Sequence, residues 1–218
     1  MSKSEAQYQR QFNQMKDDPG AYGCRWYPYL QTMTLPNFIK YMKIFEQIDR
    51  DHSNTLELSE LKRAKLLDNE TKLPSHTLER LLKTFILDDD NDSICAIEFM
   101  GMASFITQCS EVFEKKDADK SNSLELSECI NGGFDFICEG ITQTSIEILF
   151  ELNGVQMKGK SERSLNRVQF VGCCAYLGQC CSIFQKTVQI DRKTLMMEKK
   201  ESFTKFIEMI LIIARKDV

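Results

Sequence analysis

The chain has 218 residues of which 42% are hydrophobic, enough to bury one large core or two small ones, which excludes disorder over most of its length. Its formal charge of -4, with a pI near 5.4 and no sustained basic stripe, excludes a nucleic-acid binder, because nothing would neutralise a run of phosphates. The longest apolar run, 203–214, is broken by Thr204, Lys205 and Glu208 and is too short for a membrane span.

The opening MSKSEAQYQRQFNQMK contains no apolar leader, so the nine cysteines are expected as reduced thiols of a cytoplasmic protein. Residues 1–34 have no counterpart elsewhere in the chain and are expected to be an N-terminal arm docked on a domain spanning 35–218. With four prolines and ten glycines, and apolar residues recurring at intervals of three and four, the segments between loops are expected to be helices. The first such stripe is Phe38, Met42, Phe45 and Ile48.

A twelve-residue segment follows, DRDHSNTLELSE at 49–60, and it returns as DADKSNSLELSE at 117–128 with nine positions identical. Oxygen-bearing side chains recur at positions 1, 3, 5, 9 and 12, the spacing of a loop wrapped around a hard cation. The expected ligands are the side chains of Asp49, Asp51 and Ser53, the carbonyl of Thr55, Glu57 directly or through water, and both oxygens of Glu60. Asp117, Asp119, Ser121, Ser123, Glu125 and Glu128 take the same roles in the repeat. The tight turn at position 6 needs a positive φ, and Asn54 and Asn122 stand where glycine is usual, asparagine being the next most tolerant residue. Acidic segments between helices are most often plain solvated turns. Four carboxylates gathered twice at one spacing would repel one another without a cation, and calcium (Ca2+) is the ion the oxygens suit.

Between the two copies, Leu78, Leu81, Leu82, Phe85 and Ile86 lead into an acidic stretch with Asp88, Asp90 and Asp92 and end at Glu98. Its ends disagree: a twelve-residue frame, 87–98, puts Leu87 at the first ligand place, whereas a start at Asp88 leaves eleven residues. A shortened cation site and a purely structural loop both fit. Residues 99–116 then read as one continuous helix joining this loop to the next.

The segment 170–187 repeats the aromatic, glycine and cysteine pattern of 99–116. Anchoring Phe170 on Phe99 implies degenerate loops at 158–169 and 188–199, with Leu165 and Leu195 in the central apolar place and Lys158, Lys160, Gln169, Val188, Ile190, Arg192 and Lys199 where oxygens should be. Neither is expected to hold calcium. Cys173-Cys174 and Cys180-Cys181 lie seven apart on the helix, so zinc or redox chemistry and plain core packing both fit. The last helix carries Phe203, Phe206, Ile207, Ile210, Leu211, Ile212 and Ile213, a surface too broad for one solvent-facing stripe, and is expected to be buried or to meet another chain. No catalytic arrangement is evident, so no enzyme is expected.

The two strong loops with their flanking Phe45-Glu46 and Phe113-Glu114 resemble the EF-hand superfamily. Five loops with eighteen-residue helices shared between the second and third and between the fourth and fifth are similar to the penta-EF-hand group, over roughly 35–218. That resemblance implies an all-α domain of helix-loop-helix repeats, calcium in the first and third loops, and a homodimer formed through the C-terminal hand. More narrowly, length, cysteine content and the DxDxSNxLELSE loops are similar to the grainins, granule calcium-binding proteins of parasitic amoebae. This implies a calcium sensor or buffer in cytoplasmic granules, concerned with calcium storage or discharge and with a protein partner in the calcium-bound state. A dimerising scaffold in which calcium is structural is the competing expectation.

Overall fold

The computed structural model describes residues 4–17, 27–67, 71–87, 92–156, 163–187 and 196–216. The chain divides into two units, Met1–Gln108 and Cys109–Val218.

Unit 1 begins with helix α1 (Glu5–Lys16), followed by α2 (Tyr27–Thr32) and α3 (Leu35–Ile48). Thr34 caps α3 by accepting from the Asn37 N–H, and Pro36 sits in the first turn, where its missing N–H is no loss. The stripe Phe38, Tyr41, Met42, Phe45 and Ile48 is buried along one face of α3. The helix stops at Asp49, whose N–H closes the last turn on the Phe45 carbonyl. Strand β1 (Thr55–Glu57) runs into α4 (Leu58–Leu61), then α5 (Ser75–Phe85), strand β2 (Ser93–Cys95) and the long helix α6 (Ala96–Lys116). β1 and β2 pair antiparallel with Leu56 opposite Ile94, both fully buried, so the two loops of the unit stand side by side. Phe45 and Phe99 meet edge to face at 5.5 Å, locking α3 to α6. The segment before α3 belongs to this core: Leu30 and Met33 are buried, and Tyr29 packs 5.2 Å from Phe105.

Unit 2 takes up α6 at Cys109 and continues with β3 (Ser123–Glu125), α7 (Leu126–Ile130), α8 (Gln143–Asn153), β4 (Val155–Gln156), β5 (Arg163–Asn166), α9 (Arg167–Thr187) and α10 (Met196–Lys216). Here β3 pairs with β5, Leu124 opposite Leu165, and both leucines are fully buried. Phe113 and Phe170 meet edge to face at 5.9 Å, the counterpart of Phe45 and Phe99. Both expected eighteen-residue helical segments are helix throughout, each extended by three residues at its start. On α10, Ile207 and Leu211 are buried while Met209 (54%) and Ile212 (41%) are exposed, so one side of this helix enters the core and another faces outward. Residues 188–195, most of the fifth expected loop, lie outside the described residues. Among the described residues no helix is long and apolar enough to cross a membrane.

Candidate metal centres

The segment 49–60 forms its loop because the end of α3 and the start of α4 share one carboxylate. Glu60 accepts the Arg50 N–H at 3.0 Å on one oxygen and the Glu57 N–H at 3.2 Å on the other, tying position 12 to positions 2 and 9. Asp49 accepts from the N–H groups of Ser53 at 3.1 Å and Asn54 at 3.2 Å, and Asp51 from Ser53 at 3.0 Å. These bonds wrap the backbone around the acidic side chains. Asp49, Asp51 and Glu60 each bring an oxygen within 4.8 Å of the others. The Ser53 hydroxyl donates to the Thr55 carbonyl at 3.1 Å, so the side-chain oxygen of position 5 and the backbone oxygen of position 7 are also neighbours. Glu57 stands outside the three-carboxylate cluster.

The second copy repeats this bond for bond. Glu128 accepts from Ala118 at 3.0 Å and Glu125 at 2.9 Å. Asp117 accepts from Ser121 at 2.9 Å and Asn122 at 3.0 Å, Asp119 from Ser121 at 3.0 Å, and the Ser121 hydroxyl reaches the Ser123 carbonyl at 2.8 Å. Asp117, Asp119 and Glu128 form the second three-carboxylate cluster, with Glu125 outside it. As the turn requires, Asn54 and Asn122 have φ of 63° and 59°. His52 and Lys120 are left-handed too, at 58° and 55°. Sequence reasoning missed these, because position 4 carries no residue type that marks a positive φ.

The first cluster is half-sheltered, whereas in the second Asp117 and Glu128 are only half-buried and Asp119 is exposed. Asp49 and Glu60 are buried and Asp51 is exposed, and the N–H and hydroxyl of Ser53 hold the Asp51 carboxyl below its ordinary pKa. Two buried carboxylates beside a third call for a positive partner. An oxygen-only set of carboxylates, a hydroxyl and a carbonyl suits a hard divalent cation and is a poor match for zinc or copper.

The other two loops keep the frame and, among the described residues, form no three-carboxylate cluster. Glu98 accepts the Cys95 N–H at 2.8 Å, as Glu60 does from Glu57, but its second oxygen takes the Leu87 N–H at 2.7 Å, eleven residues back where Arg50 is ten. The N–H of Ile86 closes α5 on Leu82 as that of Asp49 closes α3 on Phe45. This loop therefore spans 86–98, thirteen residues rather than the twelve of 87–98, and places isoleucine where the other two have aspartate. Glu98 is buried and Asp92 exposed, and among the described residues neither belongs to a three-ligand cluster. Asp88 and Asp90 lie outside the described residues.

In unit 2, α8 closes at Gly154, whose N–H reaches the Phe150 carbonyl, so the fourth loop begins four residues before 158. Gln169 keeps the position-12 bond, accepting the Asn166 N–H at 2.8 Å, and its amide donates to the Asn153 carbonyl at 2.8 Å. The Arg163 guanidinium donates to the Glu151 carbonyl, bringing positive charge to the end of α8.

A structure of a homolog of programmed cell death 6 protein from Leishmania major Friedlin is similar to this chain, with a TM-score of 0.50 and 19% identity over 84% of this chain and 97% of that one. The fold is the all-α EF-hand fold. No protein-family model matches the chain, and no curated protein matches it.

The cysteines take no part in the acidic clusters. Cys109, Cys129, Cys173 and Cys174 are buried in unit 2, burial pushes the Cys129 thiol up to about 12, and the Cys174 thiol is raised well above its ordinary value by burial and its hydrogen bond to Cys109. The Cys129 and Cys174 thiols therefore stay protonated, which favours the packing reading for them over redox chemistry.

Proposed function

We propose that this chain is a calcium-binding protein taking one ion in each of the loops 49–60 and 117–128. The observation that carries this is the pair of three-carboxylate clusters, each completed by a serine hydroxyl beside a backbone carbonyl. The proposed ligands are Asp49, Asp51, Ser53, the Thr55 carbonyl and Glu60, with Glu57 acting through water, and Asp117, Asp119, Ser121, the Ser123 carbonyl and Glu128, with Glu125 in the water-mediated place. A bound ion supplies the positive charge that the clustered carboxylates lack. Each loop sits at a junction between helices, so neutralising it changes the energy of the helix arrangement, the property a calcium sensor uses.

Calorimetric titration of the metal-free chain in millimolar magnesium is the test. Two sites filling at micromolar calcium are expected, and no heat of binding would leave the loops as structural turns. A calcium-induced rise in hydrophobic-dye fluorescence separates a sensor from a buffer. The exposed Met209 and Ile212 on α10 support self-association through the C-terminal hand, read by sedimentation with and without calcium. The granule setting rests on the resemblance in length, cysteine content and loops, and immunolabelling of the native cells tests it.

A further inference from the structure

Helix α1 stands outside the loop repeat, yet it is seated on unit 1 in the manner of a bound ligand. Tyr8, Phe12 and Met15 fall at intervals of four and three along one stripe: Tyr8 and Met15 are buried, and Phe12 packs 5.4 Å from Phe38 of α3. The Tyr8 hydroxyl donates to Glu46 at 2.9 Å, on the helix that leads into the first loop. At twelve residues α1 is at the length where an isolated helix is marginal in water, so its order depends on the groove.

The seat is imperfect. An open pocket of about 210 Å³ lies beside α1, lined by Met15, Phe38, Met42, Ile97 and Met100 together with Gln11 and the exposed Gln14. The Gln11 Oε1 is buried and has no hydrogen-bond partner among the described residues. Native structures rarely leave a buried acceptor without a partner. An apolar side chain at the Gln11 position would remove the orphan and add apolar contact to the pocket lining.

We propose that α1 is a displaceable, intramolecular occupant of the groove between α3 and the start of α6. The groove's external ligand is an amphipathic helix of a partner protein, with a hydroxyl- or N–H-bearing aromatic at its first anchor and apolar residues three, four and seven positions later. α1 matches this pattern at every anchor except the second, where it has Gln11, and that mismatch makes it a weak competitor. The inference stands on the geometry of unit 1 and needs no calcium in the loops.

The test uses the full-length chain and synthetic peptides of residues 4–17, one native and one carrying Gln11→Leu, each with a fluorophore. The Gln11→Leu peptide is expected to bind saturably in trans, on the order of tenfold tighter than the native peptide, the ratio that relieving one buried orphan supplies. Introducing Gln11→Leu into the full-length chain is expected to weaken binding of that peptide by a similar factor, because the internal helix then competes better. Hydrogen exchange on the unmodified protein is expected to show the α1 amides opening well before those of α3. Absence of saturable peptide binding overturns the proposal, and so does α1 exchange as slow as that of α3.

Discussion

The loops 49–60 and 117–128 and the loops ending at Glu98 and Gln169 share one frame and differ in one property. All four close on a side chain at the last position that accepts the N–H three residues earlier, from Glu57, Cys95, Glu125 and Asn166. All four contribute a fully buried aliphatic residue to a cross-loop ladder: Leu56, Ile94, Leu124 and Leu165. Among the described residues only the first two gather three carboxylates. The frame is a matter of backbone hydrogen bonds and apolar burial, and the three-carboxylate cluster is a second layer that uses an acid at the residue closing the preceding helix. Ile86 and Gly154 occupy that place in the loops without a cluster.

The largest expected effect tests whether the frame is common to both kinds of loop. Leu56→Ala and Ile94→Ala should each cost about 2–5 kcal/mol of unfolding free energy, the range for truncating a buried aliphatic residue, and by similar amounts although only Leu56 belongs to a loop with a cluster. Chemical denaturation in the absence of calcium measures this. A negligible cost at Ile94 would break the claim that the second loop is a full structural partner.

Next come the ligands. Glu60→Gln and Glu128→Gln should each weaken one calcium site by about a hundredfold, about 2.7 kcal/mol, whereas Glu98→Gln should leave the stoichiometry at that of the unmodified chain. Calorimetry on the three variants reads the difference, and a site lost with Glu98 would move the second loop into the first class. Smaller still is the turn itself: Asn54→Ala should cost about 1 kcal/mol because alanine tolerates a φ of 63° less well, and thermal melting of the calcium-free protein should register it.

The smallest effect concerns α1. Burial and the bond to Glu46 push the Tyr8 hydroxyl up from 10.0 to about 12. Because the folded state holds this proton more tightly than the unfolded chain, the contribution is fully present below pH 10 and is lost as pH rises from 10 towards 12. Tyr8→Phe should remove that part of the alkaline pH dependence, leaving a flatter stability profile over the same window.

Much of the candidate site was legible because the carboxylates that converge stand at fixed intervals along the chain, and such spacing survives as text. Asp49, Asp51 and Glu60 converge for this reason, as do their copies. The apolar periodicity likewise marked α3 and α5, since helices that bury one face must place Phe38, Met42 and Phe45 or Leu78, Leu81 and Leu82 at three- and four-residue intervals, while α6 and α9 were marked by an unbroken eighteen-residue stretch and its repeat. The frame of the second loop was not legible. Its twelve-residue count assumed that loop length is conserved, whereas the register is set by which N–H reaches Glu98, a choice made where Leu82 and Ile86 close α5. The fourth loop hid its start in the same way, because the stop of α8 at Gly154 carries no acidic marker.

What the sequence determined alone is therefore the helices α3, α5, α6, α9 and α10 and the spacing of the acidic residues in two loops, because both are encoded locally. Tertiary structure decided which loops pair, where the degenerate ones begin, and that α1 lies on α3 with Gln11 beside an open pocket. Those outcomes depend on contacts between residues far apart in the chain, such as Leu56 with Ile94 and Tyr8 with Glu46, whose partners no local pattern names.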